Sequence, residues 1–307
     1  MGRKEVAVSG QASHRTTVPD IKARKSVGKI VMLTACDAPT ARMADDAGAD
    51  IILVGDSLAM VCLGHETTLS VTMDEMIHHA KAVKRARPRA LVIGDMPYLS
   101  YHLSVEEAVR NAGRFVAQAG CGGVKIEGGR KRLRTIEAIL GAEIPVMGHL
   151  GLTPQSYHVM GGFRVQARTA EAAEALVREA QLLAACGVFS IVLEGVPAEV
   201  AQIVTAEVPV PTIGIGAGPH CDGQVLVTHD VLGLSGSEPP RFVRRYADLA
   251  SAATLALGSF AEDVRGGRFP SEAESYHLPQ GAAEELRMRI RAVLGEVPEA
   301  PGNRWRS

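Results

Sequence analysis

Eight short runs of β-branched and aliphatic residues recur along the chain: Lys29–Ala35, Asp50–Gly55, Arg89–Met96, Gly123–Gly128, Ile144–Leu150, Phe189–Gly195, Pro211–Gly216 and Gly223–Thr228. Most are separated by stretches with helical period and recognisable ends. Ser104-Val-Glu-Glu107 is a capping box whose helix stops at Gly120, and Thr169 to Gly187 has the same design. Strands that alternate with helices imply parallel βαβ units. Eight such units in roughly 250 residues match a closed (β/α)8 TIM barrel better than an open doubly wound sheet. The last two runs lie too close together for a full helix, so a short or irregular connection is expected there.

Beyond the eighth run, Arg241 to Val264 has the pattern of one long amphipathic helix, and Ala282 to Leu294 that of another ending at Gly295. The segment between them, Arg265–Pro279, is rich in Gly, Pro and Ser. The final helix therefore either packs on a neighbouring subunit or folds back on its own barrel. No linker composition interrupts the middle of the chain. The expected organisation is a disordered tail over 1–27, a barrel with extra C-terminal helices over 28–280, and a C-terminal helix and tail over 281–307. The first 27 residues are basic but lack an apolar core, which favours a tail over a targeting peptide.

The formal net charge is −1, with both signs dispersed, so no footprint for nucleic acid or an anionic membrane is present. No run of about 18 apolar residues offers a membrane span. The five cysteines lie far apart in sequence without a C-x-x-C pair, as expected of reduced thiols in a cytoplasmic protein. The expected partner is a small molecule.

In a barrel, catalytic groups come from the C-terminal ends of the strands. Here those ends carry Asp56, Asp95, Lys125, Glu127, His149 and Glu194. Asp56, Asp95, His149 and Glu194 each lie two residues beyond an apolar one (Val54, Ile93, Met147 and Val192) and are expected to share its face. On the fourth run Val124 and Ile126 alternate with Lys125 and Glu127. If the apolar pair faces the helices, the charged pair points into the barrel mouth. Burying unpaired charge is costly, so such a cluster normally binds a metal or does chemistry. Asp56, Asp95 and Glu127 repel one another unless a hard cation sits between them. Mg²⁺ is the natural occupant, because it prefers oxygen ligands and leaves positions open for a substrate, whereas zinc calls for His or Cys. The bland alternative is that Asp56 caps the following helix and Asp95 a turn before Pro97.

Glu194, flanked by Leu193, Gly195 and Val196, is a candidate base whose apolar setting is expected to raise its pKa; its alternative is an ion pair with an Arg or Lys. His149 either orients Glu194 or a substrate oxygen, or is a satisfied core histidine. Ser57 either meets a substrate carboxylate or starts a helix. The series Gly214-Ile-Gly216-Ala-Gly218-Pro219 has the wrong spacing for a dinucleotide fingerprint and is expected to be a tight loop.

From residue 25 to about residue 276 the chain resembles the ketopantoate hydroxymethyltransferase family. The matching segments include Gly55-Asp-Ser-Leu-Ala-Met60, Val124-Lys-Ile-Glu-Gly-Gly129, Pro145-Val-Met-Gly-His-Leu-Gly-Leu-Thr-Pro-Gln155, Leu193-Glu-Gly-Val-Pro197 and Asp222-Gly-Gln-Val-Leu226. The resemblance implies a (β/α)8 barrel and transfer of a hydroxymethyl group from 5,10-methylenetetrahydrofolate to 3-methyl-2-oxobutanoate, in pantothenate biosynthesis. It implies Mg²⁺ bound by Asp56, Asp95 and Glu127, a 2-oxo acid contacted by Ser57 and Lys125, and Glu194 as base. On the reading of the residues themselves, His149 assists Glu194, and the substrate also lies against Asp56 and Asp95. It further implies a homodecamer, a pentamer of dimers with exchanged C-terminal helices. Four residues at three places depart from the family pattern: Cys36 replaces an aromatic residue, Tyr98-Leu99 a Phe-Gly, and Ala167 a Gly. Two rival functions fit less well. A phosphoenolpyruvate-mutase-like lyase would show a Cys-bearing, lysine-rich loop, and a non-catalytic barrel would lack convergent charges.

Overall fold

The computed structural model describes residues 14–236 and 239–294. All eight apolar runs form strands: β1 (Ile30–Thr34), β2 (Ile51–Val54), β3 (Leu91–Asp95), β4 (Gly123–Glu127), β5 (Val146–Gly151), β6 (Ser190–Glu194), β7 (Thr212–Ile215) and β8 (Gly223–Leu226). They pair in parallel in chain order and close into a barrel, with β8 against β1. The seam is tied at the mouth by Thr228, whose Oγ1 donates to the Thr34 carbonyl at 2.6 Å. A TIM barrel with C-terminal helices is therefore the architecture.

α1 (Val18–Lys22) precedes β1. The connections carry α2 (Ala38–Asp46), α3 (Leu58–Val61), α4 (Met73–Arg85), α5 (Val105–Ala117), α6 (Leu133–Gly141), α7 (Tyr157–Met160), α8 (Ala170–Cys186) and α9 (Ala198–Glu207). α10 (Thr228–Leu232) follows β8. Helix ends follow the expected chemistry: Ser104 accepts the Glu107 N–H at 3.1 Å, one half of the expected box, and Gly187 closes α8 in the left-handed conformation. No helix connects β7 to β8, as their spacing requires.

The alternation of each strand divides the core in two. Met32, Leu53, Ile93, Met147, Val192, Ile213 and Val225 fill the barrel interior. Ile52, Val54, Val124, Ile126, Ile191 and Leu193 face outward and pack on helix residues such as Phe115 and Leu183. Each fully buried aliphatic side chain contributes roughly 1.5–3 kcal/mol, so the two clusters hold the frame on which the strand ends are mounted.

Three expectations change. Of the tail over 1–27, residues 1–13 lie outside the described residues, while residues 14–27 are structured: α1 is capped by Thr17, and Ile21 is buried in the barrel-interior cluster. The helix expected from Arg241 begins only with α11 (Leu249–Arg265). Residues 241–248 instead make tertiary contacts that override helical propensity, the Phe242 ring packing on Gly216 and the Tyr246 N–H donating to the Val231 carbonyl at 2.8 Å. The chain divides into compact units at Ala250/Ser251 rather than near residue 280, so α11, which starts at that boundary, and α12 (Ala282–Leu294) belong to the second unit. The five cysteines are free thiols, as expected. Among the described residues no helix is long and apolar enough to cross a membrane.

Two of the family departures share a backbone signature. Leu99 has φ 67° and Ala167 φ 53°, the left-handed region that glycine enters without strain. Each replaces a residue without a Cβ where the backbone conformation favours one.

Candidate active site

All seven predicted site residues, Asp56, Ser57, Asp95, Lys125, Glu127, His149 and Glu194, line one cavity of about 660 Å³ at the C-terminal ends of the strands. Lys125 and Glu127 point inward because Val124 and Ile126 face the helices. Asp95, His149 and Glu194 stand two residues above the interior side chains Ile93, Met147 and Val192. Asp56 reaches the cavity by another route. Val54 faces the helices and Leu53 the interior, so parity with Val54 would turn Asp56 outward. β2 has ended by then, and the turn through Asp56 and Ser57 that leads into α3 places Asp56 over the mouth.

Each of the three carboxylates has one oxygen engaged by a hydrogen-bond donor. Asp56 Oδ2 accepts from Gln155 Nε2 at 2.9 Å, Asp95 Oδ2 from the Asp56 N–H at 3.1 Å, and Glu127 Oε2 from the Gln155 N–H at 3.0 Å. These bonds run between strands and loops, so neither Asp56 nor Asp95 serves as a helix or turn cap. The remaining oxygens are differently placed. Asp95 Oδ1 faces the Lys125 ammonium at 2.9 Å, and buried Glu127 Oε1 accepts no hydrogen bond, lying 3.5 Å from His149 Nδ1. Ser57 makes no side-chain cap, which leaves its hydroxyl on the cavity wall.

The charge balance is strained in a definite direction. Burial, then Asp95 and Glu127, push the Asp56 carboxyl well above the usual carboxylate range. Burial alone would pull Lys125 down, but Asp95, Glu127 and Asp56 outweigh it and hold the ammonium charged. For His149, burial and Lys125 push the pKa down, yet Glu127 and Glu194 prevail and hold it up at about 9. Lys125 Nζ lies 3.2 Å from His149 Nδ1, where a second ring proton would point at an ammonium. The geometry favours Nδ1 as acceptor and the proton on Nε2, which faces Glu194 Oε2 at 3.2 Å, once the carboxylate charge is neutralised. Glu194 is thus partnered by a histidine rather than by an Arg or Lys.

The donor set fits Mg²⁺. Three carboxylates crowd one another beside a single lysine, and a buried oxygen of Glu127 is without a donor. Among the described residues no group of three His, Cys, Asp or Glu side chains stands close enough together to hold a metal ion. An ion held here would take part of its coordination from water or substrate, the habit of Mg²⁺.

Two residues escaped sequence reasoning. Gln155, in a short 3₁₀ turn after β5, touches both Asp56 and Glu127, and Tyr101, on the loop after β3, donates to Gln155 Oε1 at 2.6 Å. Gln155 stood inside a family segment, but an uncharged amide on a loop announces nothing by type or spacing. The apolar part of the cavity combines Met32, Leu53, Val192, Ile215 and Val225 beneath with Phe163 and Phe242 nearer the rim. Gly216 permits this rim: a Cβ there would sit 2.8 Å from the Phe242 ring.

Comparison with known proteins gives concordant matches. The model of the family described as ketopantoate hydroxymethyltransferase matches residues 15–272. A 3-methyl-2-oxobutanoate hydroxymethyltransferase from Koribacter versatilis is 57% identical over 259 residues, covering 84% of this chain and 88% of the relative. One of the same name from Syntrophobacter fumaroxidans is 55% identical over 273 residues, covering 89% and 97%. Among solved structures, a phosphoenolpyruvate phosphomutase from Streptomyces platensis subsp. rosaceus superposes with TM-score 0.56 at 16% identity, covering 90% of this chain and 99% of the other. A 2,3-dimethylmalate lyase of the PEP mutase/isocitrate lyase superfamily does so with TM-score 0.54 at 16% identity and the same coverage. At that identity the likeness is one of fold.

Proposed function

We propose that this chain, which belongs to the ketopantoate hydroxymethyltransferase family and is an enzyme of that transferase type, takes its one-carbon unit from 5,10-methylenetetrahydrofolate and uses Mg²⁺. The acceptor is 3-methyl-2-oxobutanoate and the product 2-dehydropantoate, the route into pantothenate. The observation that carries the metal-assisted reading is the convergence of Asp56, Asp95 and Glu127, each with one oxygen engaged by a neighbouring donor, beside Lys125 in one cavity.

When bound by Asp56, Asp95 and Glu127, Mg²⁺ supplies a positive centre that stabilises charge developing on the oxygens of the 2-oxo acid. Lys125 balances the substrate carboxylate, and the Ser57 hydroxyl hydrogen-bonds to it. The interior side chains Met32, Leu53 and Val192 receive the branched alkyl group and exclude water. Glu194 removes the proton from C3, with His149 Nε2 facing its carboxylate at 3.2 Å to hold it in line. C3 then bonds to the folate methylene carbon as both of its carbon–nitrogen bonds break; water supplies the hydroxyl oxygen, and the proton taken by Glu194 and the one released by water go to the two folate nitrogens.

By family resemblance the working assembly is a cytoplasmic homodecamer; the exposed Leu255, Leu257 and Phe260 of α11 and Ile290 and Val293 of α12 support association. Product formation from the two substrates should require added Mg²⁺ after chelation and should be absent without the folate donor. Full turnover in excess chelator would overturn the metal, and turnover without folate would overturn the donor.

A further inference from the structure

We infer that Tyr101 and Gln155 form an orienting relay that sets the cation affinity of the mouth by holding Asp56 and Glu127 with one oxygen of each turned to a fixed donor. The inference rests on the metal reading proposed above and concerns residues that touch neither the substrate nor the ion.

Gln155 is 6% exposed, and its side-chain amide and backbone N–H are all engaged. Its two side-chain N–H bonds go to Asp56 Oδ2 and to the Met96 carbonyl, both at 2.9 Å, and its backbone N–H goes to Glu127 Oε2 at 3.0 Å. A side-chain amide can flip, and the flipped form would aim its oxygen at a carboxylate and a carbonyl, three acceptors together. Tyr101 prevents this. Its hydroxyl, 1% exposed, donates to Gln155 Oε1 at 2.6 Å. The same hydroxyl accepts the Glu127 N–H at 3.3 Å, so its own proton is directed to Gln155. The Arg132 guanidinium, 5.5 Å from the ring centroid, steadies the ring.

An amide suits this task better than a charged donor. A lysine or arginine at Gln155 would neutralise Asp56 and repel a cation, whereas a neutral donor fixes the carboxylate and leaves its charge available. Because Gln155 holds Asp56 through its side chain and Glu127 through its backbone N–H, one residue joins the two carboxylates, and the side-chain half of that link depends on Tyr101 for its orientation.

The test is a Mn²⁺ titration of the full-length enzyme, followed by electron paramagnetic resonance of the free ion, with Mg²⁺ as competitor. Tyr101→Phe, which removes only the hydroxyl, should weaken Mn²⁺ binding by roughly ten- to a hundredfold, as loss of a ligand-orienting partner does elsewhere. Gln155→Met should weaken it at least as much, and the double variant no more than Gln155→Met alone, because the tyrosine acts through the glutamine. Ser100→Ala is the control for general loosening of the same loop, since its hydroxyl bonds only to the Pro97 carbonyl at 2.7 Å; it should bind Mn²⁺ like the wild type. Unchanged affinity in Tyr101→Phe, additive losses in the double variant, or an equal loss in Ser100→Ala would each overturn the relay while leaving the cation site standing. Failure of the wild type to bind either ion would instead remove the metal reading beneath it. Should Tyr101→Phe not fold, Gln155→Met decides alone, a loss of tenfold or more supporting the relay and wild-type affinity overturning it.

Discussion

At the floor of the barrel, where β7 and β8 begin, one carboxylate is surrounded by donors; at the mouth, where the strands end, four carboxylates share one lysine and one histidine. Asp222 accepts from Lys25 Nζ at 2.9 Å, from the Ser26 N–H at 3.1 Å and from the Thr212 N–H at 2.9 Å. Lys25 is completed by the Thr205 carbonyl at 2.6 Å. Burial pushes the Asp222 carboxyl up, but Thr212, Lys25 and Ser26 outweigh it and hold it below the usual range. At the mouth the same kind of group, Asp56, is pushed the other way. Compensated charge ties the chain together, whereas charge left without its complement is a place prepared for something else to bind.

The contrast can be broken at either end. The largest effect is expected from Glu194→Gln, which should lower turnover by about 10²–10⁴-fold while metal and substrate binding and the melting temperature stay near wild type. Normal turnover would remove Glu194 as the base. Next comes Asp222→Asn, which leaves Lys25 without its counter-charge and should destabilise the fold by about 3 kcal/mol in denaturant titration, with turnover per folded molecule retained. The pH dependence follows from the sign of the shift. The Asp222 contribution is present in full above the ordinary aspartate value, about 3.9, and is lost as pH falls through the lower folded value, so Asp222→Asn should flatten acid unfolding. Asp56→Asn should do the opposite to stability. A raised carboxyl costs stability as pH rises past its unfolded value, so in metal-free protein at neutral pH this variant should gain of order 1 kcal/mol while losing turnover. A loss of stability would mean that the mouth is compensated like the floor. Smallest is Leu99→Gly, which relieves left-handed strain at the cost of chain entropy and should gain about 0.5 kcal/mol, with Ala167→Gly alike; a loss at both would show that the strain is negligible.

The parts of this molecule legible in its sequence are those governed by a period. Lys125 and Glu127 declare their direction because Val124 and Ile126 alternate with them, and Asp95, His149 and Glu194 follow the residue two places before. Asp56 is found by residue type but for the wrong reason, since its strand stops at Val54 and a turn delivers it. Where tertiary contact decides, nothing local signals it. Phe242 leaves a helical pattern to pack on Gly216, Tyr101 and Gln155 meet from two loops, and Asp222 before Gly223 has the look of an ordinary turn residue. Leu99 and Ala167 lie between these cases: their departure from glycine is visible in the chain, but the positive φ that gives it meaning belongs to the fold.

If the unsatisfied mouth moves a proton from carbon under the influence of a bound cation, that proton should exchange with solvent. The direct measurement is to incubate 3-methyl-2-oxobutanoate with the protein in heavy water, without folate, and follow the C3 signal by NMR with Mg²⁺ present or chelated. Exchange should depend on Mg²⁺ and disappear in Glu194→Gln. Exchange indifferent to the metal, or none in the wild type with Mg²⁺ bound, would contradict cation-assisted proton transfer at the mouth.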